Sequence, residues 1–279
     1  MGNEKRVAYF GPAGTFTEEA ALSYDPQAQL IPFPTIPAVA AAVSTGMADE
    51  GVVPIENSIE GSVNDTLDLL IHESQTLIRQ EIILPIEQCL LVKPGTPTTA
   101  VEVIYSHPQA LAQCRRFLER CFPKAQLVAA LSTAAAVEEM MKSSIPSAAV
   151  GPQRAALLWG AQVLARGIQD HKSNLTRFVV LAATDNTPTG ADKTSFCFSF
   201  AEDKPGLLLS VLQEFANRKI NLAKVESRPS KDSLGKYIFL IDLEGHRLDP
   251  IIAEALARVH AKCDLFKMFG SYPRFKANN

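Results

Sequence analysis

Through the first two thirds of the chain, short apolar runs alternate with stretches of helical spacing. Arg6–Phe10 has the pattern of a buried strand, and the segment after Thr15 that of a helix. Gly51–Ile55 precedes a helix expected from about Ser62, with Val63, Leu67, Leu70 and Ile71 on one face. Val101–Tyr105 leads to a helix opening at Pro108, with Leu111, Cys114 and Leu118 inward. Gln126–Ala130 leads to Ser132 and an alanine-rich helix, and Ala148–Val150 to a helix that stops at Gly160. Strand and helix in alternation predict an α/β fold with largely parallel sheets up to about residue 183.

Residues 184–193, TDNTPTGADK, are polar, hold a Pro and a Gly and have no apolar period, which marks a linker. Beyond it the order changes. Ser195–Ala201 is a strand pattern with Phe196, Phe198 and Phe200 on one face, and Leu208, Val211, Leu212 and Phe215 then fall at i, i+3, i+4, i+7. Strands near Ile220–Ser227 and Lys236–Leu243, a helix near Pro250–His260 and a strand near Asp264–Phe269 complete a βαββαβ order. That order is α+β and ferredoxin-like. The domains expected are therefore 1–183 and 194–279.

Composition narrows the function classes. A chain of 279 residues with 47% hydrophobic and 20% charged residues has room for two domains with real cores. Its 27 basic and 30 acidic residues include no basic block, so nucleic acid is not the expected partner. No run approaches the ~20 apolar residues of a membrane span, and no apolar leader precedes the first strand. Five cysteines without a CxxC pair point to reduced thiols in the cytoplasm, and five scattered histidines to no metal site.

Candidate chemistry gathers at strand-to-helix turns. Thr15 with Glu18 forms a capping-box pattern, Ser62, Ser106 and Ser132 stand at N-cap positions, and Pro108 suits a first helical turn. Ligands of open α/β sheets bind where such turns converge, and free helix N-termini suit carboxylates. Each of these residues taken alone is better explained as a helix cap, so function has to come from several turns converging.

The run GPAGTFTEEAA at 11–21, with VPIENSIEGSV at 53–63, SHPQALAQC at 106–114 and NLTRF at 174–178, resembles the signature blocks of the prephenate dehydratases, in order and with matching spacing. The resemblance implies two lobes like those of type 2 periplasmic binding proteins, a cleft between them, and chain crossings near 79–85 and 162–167. It implies a lyase that removes carbon dioxide and the ring hydroxyl from prephenate to give phenylpyruvate. Aromatisation drives that step, so no cofactor is implied. The same resemblance puts Thr176 at the departing hydroxyl, and Asn57, Ser106 and Gln113 among the catalytic positions. Thr15, Ser58, Gln109, Arg177 and Phe178 become cleft residues toward substrate. Arg177 follows Thr176 on a strand and so points to the opposite face, which leaves the cleft rim and the fold's interior both open to it. Glu56 is read as structural, because a carboxylate beside a dianion is repelled, and His107 as a cap.

PGLLLSVLQEFANRKINLAKVESRPSK at 205–231 resembles the ACT domain of the same enzymes, although Leu207 replaces the usual small residue. It implies a phenylalanine site between the ACT domains of two subunits, in a dimer or tetramer, near Gly206, Leu207, Leu208, Asn221, Glu226, Ser227, Arg228 and Pro229. Gly206 has no Cβ to obstruct a ligand. An arogenate dehydratase and a non-catalytic amino-acid sensor are the alternatives. No chorismate mutase segment is recognised, so a monofunctional protein is expected.

Overall fold

The alternating pattern of the first two thirds becomes two lobes in the computed structural model, which describes residues 4–202, 204–231 and 235–275. The first lobe runs β1 (Arg6–Phe10), α1 (Phe16–Tyr24), β2 (Gln29–Phe33), α2 (Ile36–Ser44), β3 (Glu50–Asn57), β4 (Gly61–Ser62), α3 (Asn64–Asp68) and β5 (Leu77–Pro85). The second runs β6 (Cys89–Val92), β7 (Val103–Ser106), α4 (Pro108–Gln113), α5 (Arg115–Cys121), β8 (Gln126–Ala129), α6 (Thr133–Lys142), β9 (Ser147–Gly151), α7 (Gln153–Trp159) and β10 (Gln162–Ala165). The chain then returns to the first lobe as β11 (Leu175–Ala182).

The two sheets share one plan. Their strand orders are β2-β1-β3-β11-β5 and β8-β7-β9-β6-β10. In each, the first three strands are parallel, and a strand delivered by a crossing lies antiparallel between the third and the last. This is the two-lobed arrangement implied by the resemblance. It corrects the expectation of largely parallel sheets, because the antiparallel members arrive by exchange between lobes, which local periodicity does not record. Crossings fall at residues 86–88 and 166–174, just past the stretches expected, since 79–85 and 162–165 still belong to β5 and β10.

Two local expectations change. Ser62 pairs with Glu56 in β4, and the helix begins only after Val63, running on as a π-helical turn over Leu69–Glu73. The helix expected to run unbroken from Pro108 breaks at Cys114, although Cys114 and Leu118 face inward as the spacing requires.

The C-terminal domain is β12 (Asp192–Ser199), α8 (Leu207–Ala216), β13 (Leu222–Pro229), β14 (Tyr237–Glu244), α9 (Pro250–His260) and β15 (Leu265–Pro273), with strand order β13-β14-β12-β15, all antiparallel. One face of this sheet carries Phe196, Phe198 and Ile241 against Val211 and Phe215 of α8 and Ile252 and Leu256 of α9. The other face is apolar too. Cys197, Ile238, Leu240, Phe269 and Tyr272 share one cluster with Ile78, Val179 and Leu181 of the first lobe. Only residues 183–191 separate β11 from β12, and even there Asp185 accepts hydrogen bonds from Arg247 and from the Ser271 N–H, both at 2.9 Å. The C-terminal sheet is therefore a layer of the first lobe, not a body on a loose tether.

Candidate active site

Between the lobes lies a cleft of about 790 Å³. The carboxyl ends of β1, β2 and β3, the first turns of α1, α4 and α6, residues Ile86 and Gln88 of the first crossing, and Thr176 and Phe178 of β11 all line it. Apart from His107, none of the described lining residues is titratable. A polar ligand there meets hydroxyls, carboxamides and helix N-termini instead of full charges.

Thr176 and Asn57 stand opposite each other in the β11–β3 register. Both are more than nine-tenths buried. Asn57 Nδ2 donates to Thr176 Oγ1 at 2.8 Å and to Asn174 Oδ1 at 2.9 Å. Asn57 Oδ1 accepts from the N–H groups of Ile59 and Glu60, at 3.0 and 3.1 Å, so its carboxamide orientation is set by backbone. A hydroxyl that accepts from an amide keeps its own proton for another acceptor, and no protein acceptor for it occurs among the described residues. The Asn174 carboxamide extends the network, donating to Gln113 Oε1 at 3.3 Å, and Gln113 Nε2 donates to Glu60 at 3.4 Å. Lobe, crossing and lobe are thus joined by one chain of amides.

Other expected residues divide clearly. Thr15 and Gln109 line the cleft, Thr15 capping α1 by accepting from the Glu18 N–H at 3.4 Å. Phe178 shares the face of Thr176 and forms part of the cleft wall. His107 caps α4, its Nδ1 accepting from the Gln109 N–H at 3.3 Å. Ser58 does not line the cleft. It exchanges backbone and side-chain bonds with Leu175, at 2.8 and 2.9 Å, and so ties the start of β11 to β3. Ser106 is neither a cap nor a lining residue: fully buried, it donates to the Val150 carbonyl at 2.7 Å and joins β7 to β9.

Arg177 requires a correction. It points away from the cleft into the C-terminal sheet, donating to Asp242 Oδ2 and to the Tyr272 hydroxyl, both at 2.6 Å, with Glu81 in ion-pair range at 2.8 Å. Burial disfavours its charge, but Tyr272, Asp242 and Glu81 outweigh that and hold its pKa well above the usual value. For Asp242 burial likewise works against ionisation, and Arg177 and Ser195 override it, so its carboxyl sits below the ordinary range. Alternation along β11 dictates this outcome: Thr176 and Phe178 face the cleft, Arg177 and Val179 the other sheet. Glu56 also lies on that far side, 3.5 Å from Arg177 and 3.4 Å from Lys224, the structural place expected for it.

Glu18 was expected to complete a capping box. Instead it accepts from the Gly14 N–H at 2.6 Å and from both ends of the Arg154 fork at 3.1 and 2.9 Å, which bolts α1 to α7 across the lobes. Desolvation pushes its pKa up, yet Arg154 and the Gly14 amide prevail and lower it. Gly14 (φ +86°) takes a backbone conformation that strains any side chain, and a Cβ there would also crowd the Ala155 backbone at 3.2 Å. Sequence reasoning also missed Gln88 and Thr133 as lining residues, and Asn174 as the hub between Asn57 and Gln113. Asn174 lies inside the NLTRF block, which was the available signal; Gln88, on a crossing, carried none.

In the C-terminal domain, Gly206 (φ +88°) opens α8 with free space where a Cβ would be. Leu207 and Leu208 are half-buried, while Asn221, Ser227 and Pro229 are exposed. Alternate residues of β13 turn toward the first lobe. Glu226 accepts from Ser62 Oγ at 2.5 Å, and Arg228 Nη2 donates to Asp68 at 2.9 Å. Lys224 bridges Ser62 at 2.8 Å and Glu226 at 3.1 Å. The side chains of Glu226 and Arg228 are therefore engaged with the first lobe of their own chain.

Comparisons with known proteins follow this division of the chain. A family model described as prephenate dehydratase matches residues 7–186, and one described as ACT domain matches 197–261. A bifunctional chorismate mutase/prephenate dehydratase of Aquifex aeolicus is 44% identical over 96% of this chain and 74% of that protein. A prephenate dehydratase of Mycobacterium marinum is 38% identical over 96% of this chain and 88% of its own. Among solved structures, the prephenate dehydratase of Arthrobacter aurescens in complex with L-Phe superposes with a TM-score of 0.89 at 37% identity, covering 96% of this chain and 90% of that one.

Proposed function

The chain belongs to the prephenate dehydratase family, and from that premise we propose that its cleft converts prephenate to phenylpyruvate with Thr176 donating a hydrogen bond to the departing hydroxyl. The observation that carries the assignment is the Asn57–Thr176 bond of 2.8 Å in a cleft whose described lining holds no Asp, Glu, Lys or Arg.

The chemistry runs through the substrate ring. The carbon–carboxylate bond breaks, its electron pair moves through the diene, and the carbon–oxygen bond breaks at the far end as the ring becomes aromatic. The leaving oxygen needs a proton or a strong hydrogen bond. Asn57 donates to Thr176 Oγ1, which turns the threonine proton toward the cleft and stabilises negative charge building on that oxygen. An alcohol is a weak acid, so the proton itself is best passed through a water that Thr176 orients. The two substrate carboxylates meet the first turns of α1 and α6, whose unpaired N–H groups carry partial positive charge. Neutral donors suit this reaction. A lysine or arginine clamped on the carboxylate to be lost would stabilise the ground state more than the transition state.

The same lining favours the keto acid over the aminated arogenate, because among the described residues no cleft-lining carboxylate is available to an ammonium group. A sensor without catalysis has no need for a buried hydroxyl with a free proton. Five unpaired cysteines favour a cytoplasmic location. Among the described residues no helix is long and apolar enough to cross a membrane.

L-phenylalanine, one transamination beyond the product, is the effector, bound around Gly206 and the 226–229 stretch of β13. β13 is an edge strand with Val225 exposed, and Leu209 of α8 and Tyr237 of β14 are exposed as well, which supports self-association through this domain. The assignment is tested by supplying prephenate to the purified chain after EDTA treatment and dialysis, and following phenylpyruvate absorbance. Full turnover is expected; activity that requires an added metal or cofactor, or that appears only with arogenate, overturns it.

A further inference from the structure

Gln88 sits at the first crossing between lobes, and both of its backbone groups are fixed there. Its N–H donates to Gln169 Oε1 at 3.0 Å, and its carbonyl accepts from the Ile168 N–H at 3.1 Å, both on the returning segment. The residue is 3% exposed, yet its side chain lines the cleft beside Asn57 and Thr176. Oε1 is sealed from solvent and meets no donor. Among the described residues the carboxamide makes no hydrogen bond at either end. Burying a carboxamide without partners costs stability unless something else satisfies it. The sealed Oε1 leaves Nε2 as the end turned to the cleft, whose described lining offers an anionic ligand no lysine or arginine.

The geometry points to Gln88 as a substrate-binding residue whose Nε2 donates to a carboxylate of the substrate. This rests on the dehydratase reading, since prephenate carries two carboxylates that only accept. The location matters as much as the chemistry. The two crossings are hydrogen-bonded to each other through Gln88, so a carboxylate held there is fixed relative to both lobes.

Gln88→Met keeps the side-chain volume and removes both polar atoms. In the full-length chain it is expected to lower kcat/KM for prephenate about 10- to 100-fold, mainly through KM, the loss for a bond to a charged group. Its melting temperature should equal or exceed that of the wild type, because the unpartnered oxygen is gone. Gln88→Glu places a negative charge against the substrate, and protonation converts it into a donor that mimics the amide. Its kcat/KM relative to wild type is expected to rise as pH falls from 8 to 5.5. A folded Gln88→Met with wild-type kcat/KM overturns the proposal. So does a Gln88→Met loss that comes with a lowered melting temperature while Gln88→Glu shows no recovery at low pH, which is the signature of a structural role. A wild-type chain that leaves prephenate untouched overturns the dehydratase reading instead, and with it the premise for Gln88.

Discussion

Thr176 and Asn57 are joined by one hydrogen bond, and on the proposed mechanism their variants should behave as one. Thr176→Ala is expected to lower kcat by on the order of 10²–10⁴, the range for a lost proton-transfer partner, with the fold intact. Thr176→Ser keeps the hydroxyl and should retain part of the rate. Adding Asn57→Ala to Thr176→Ala should cost little more than Thr176→Ala alone, because groups that work together are not additive. Steady-state kinetics on the three variants check this, and full additivity would show that Asn57 has its own contact with substrate. At this scale the sequence was informative about type and less so about address. The TRF threonine and its asparagine partner are read from their blocks, but Ser106 and Ser58 carry the same hydroxyl chemistry and fall outside the cleft. A serine at a strand end binds either a ligand or the next strand, and for Ser106 only the pairing of β7 with β9 decides which.

Strand β11 is the element where the cleft and the C-terminal sheet meet. Its residues alternate between the cleft and the charge cluster of Arg177, Glu81 and Asp242, with Lys193 2.7 Å from Glu81. Arg177→Met leaves two buried carboxylates short of a counter-charge. A destabilisation of about 3–5 kcal/mol is expected, read as a melting temperature lower by roughly 10 °C. Arg177→Lys should rescue little of it, since an ammonium cannot reproduce the fork that spans Asp242 and Tyr272. The sign of the pH dependence follows from the depressed carboxyls of Asp242 and Glu18. A carboxylate with a lowered folded-state pKa contributes fully above its unfolded value, about 4, and loses that contribution as pH falls below it. Wild-type melting temperature should therefore drop more steeply below pH 4 than that of Arg177→Met, which lacks the partner that lowers Asp242. Equal slopes in thermal melts from pH 7 to 3 would remove Asp242 from the acid limb. Most elements were legible from spacing alone: α9 begins at Pro250 and ends at His260 as its period requires, and α8 buries Val211 and Phe215. What spacing hid was partnership, because the order of strands in a sheet depends on residues far away in the chain.

At the scale of the whole molecule, β13, the strand proposed to bind phenylalanine, is already in contact with the first lobe. Glu226 and Lys224 hold Ser62, which pairs through β4 with the end of β3 that carries Asn57. Phenylalanine bound by the neighbouring residues of β13 alters catalysis only through a difference in affinity between two states. We propose the Ser62 and Asp68 contacts as the link between those states. Ser62→Ala is expected to leave turnover without phenylalanine near the wild-type level and to shift the phenylalanine midpoint about 5- to 100-fold, the usual size of a coupling between sites. An unchanged midpoint in a phenylalanine titration would move the coupling elsewhere. Removing residues 190–279 is a poor test of regulation. It would strip the cover from Ile78, Val179 and Leu181 and leave Arg177 without Asp242, so the shortened chain is expected to aggregate or melt at reduced temperature.

The place of β11 in its sheet has a consequence for the order in which the protein comes into being. It lies between β3 and β5, yet a ribosome makes it only after the whole second lobe. A nascent chain that has emerged as far as Pro85 holds the outer rows of its first sheet with the row between them vacant. The second lobe is built from consecutive residues and closes on its own contacts, while the first waits for a strand some ninety residues downstream, a loop closure that slows its completion. Thr176 and Arg177 arrive on that late strand. The hydroxyl proposed for catalysis therefore enters the cleft in the same event that seals the sheet, and a half-made chain lacks it.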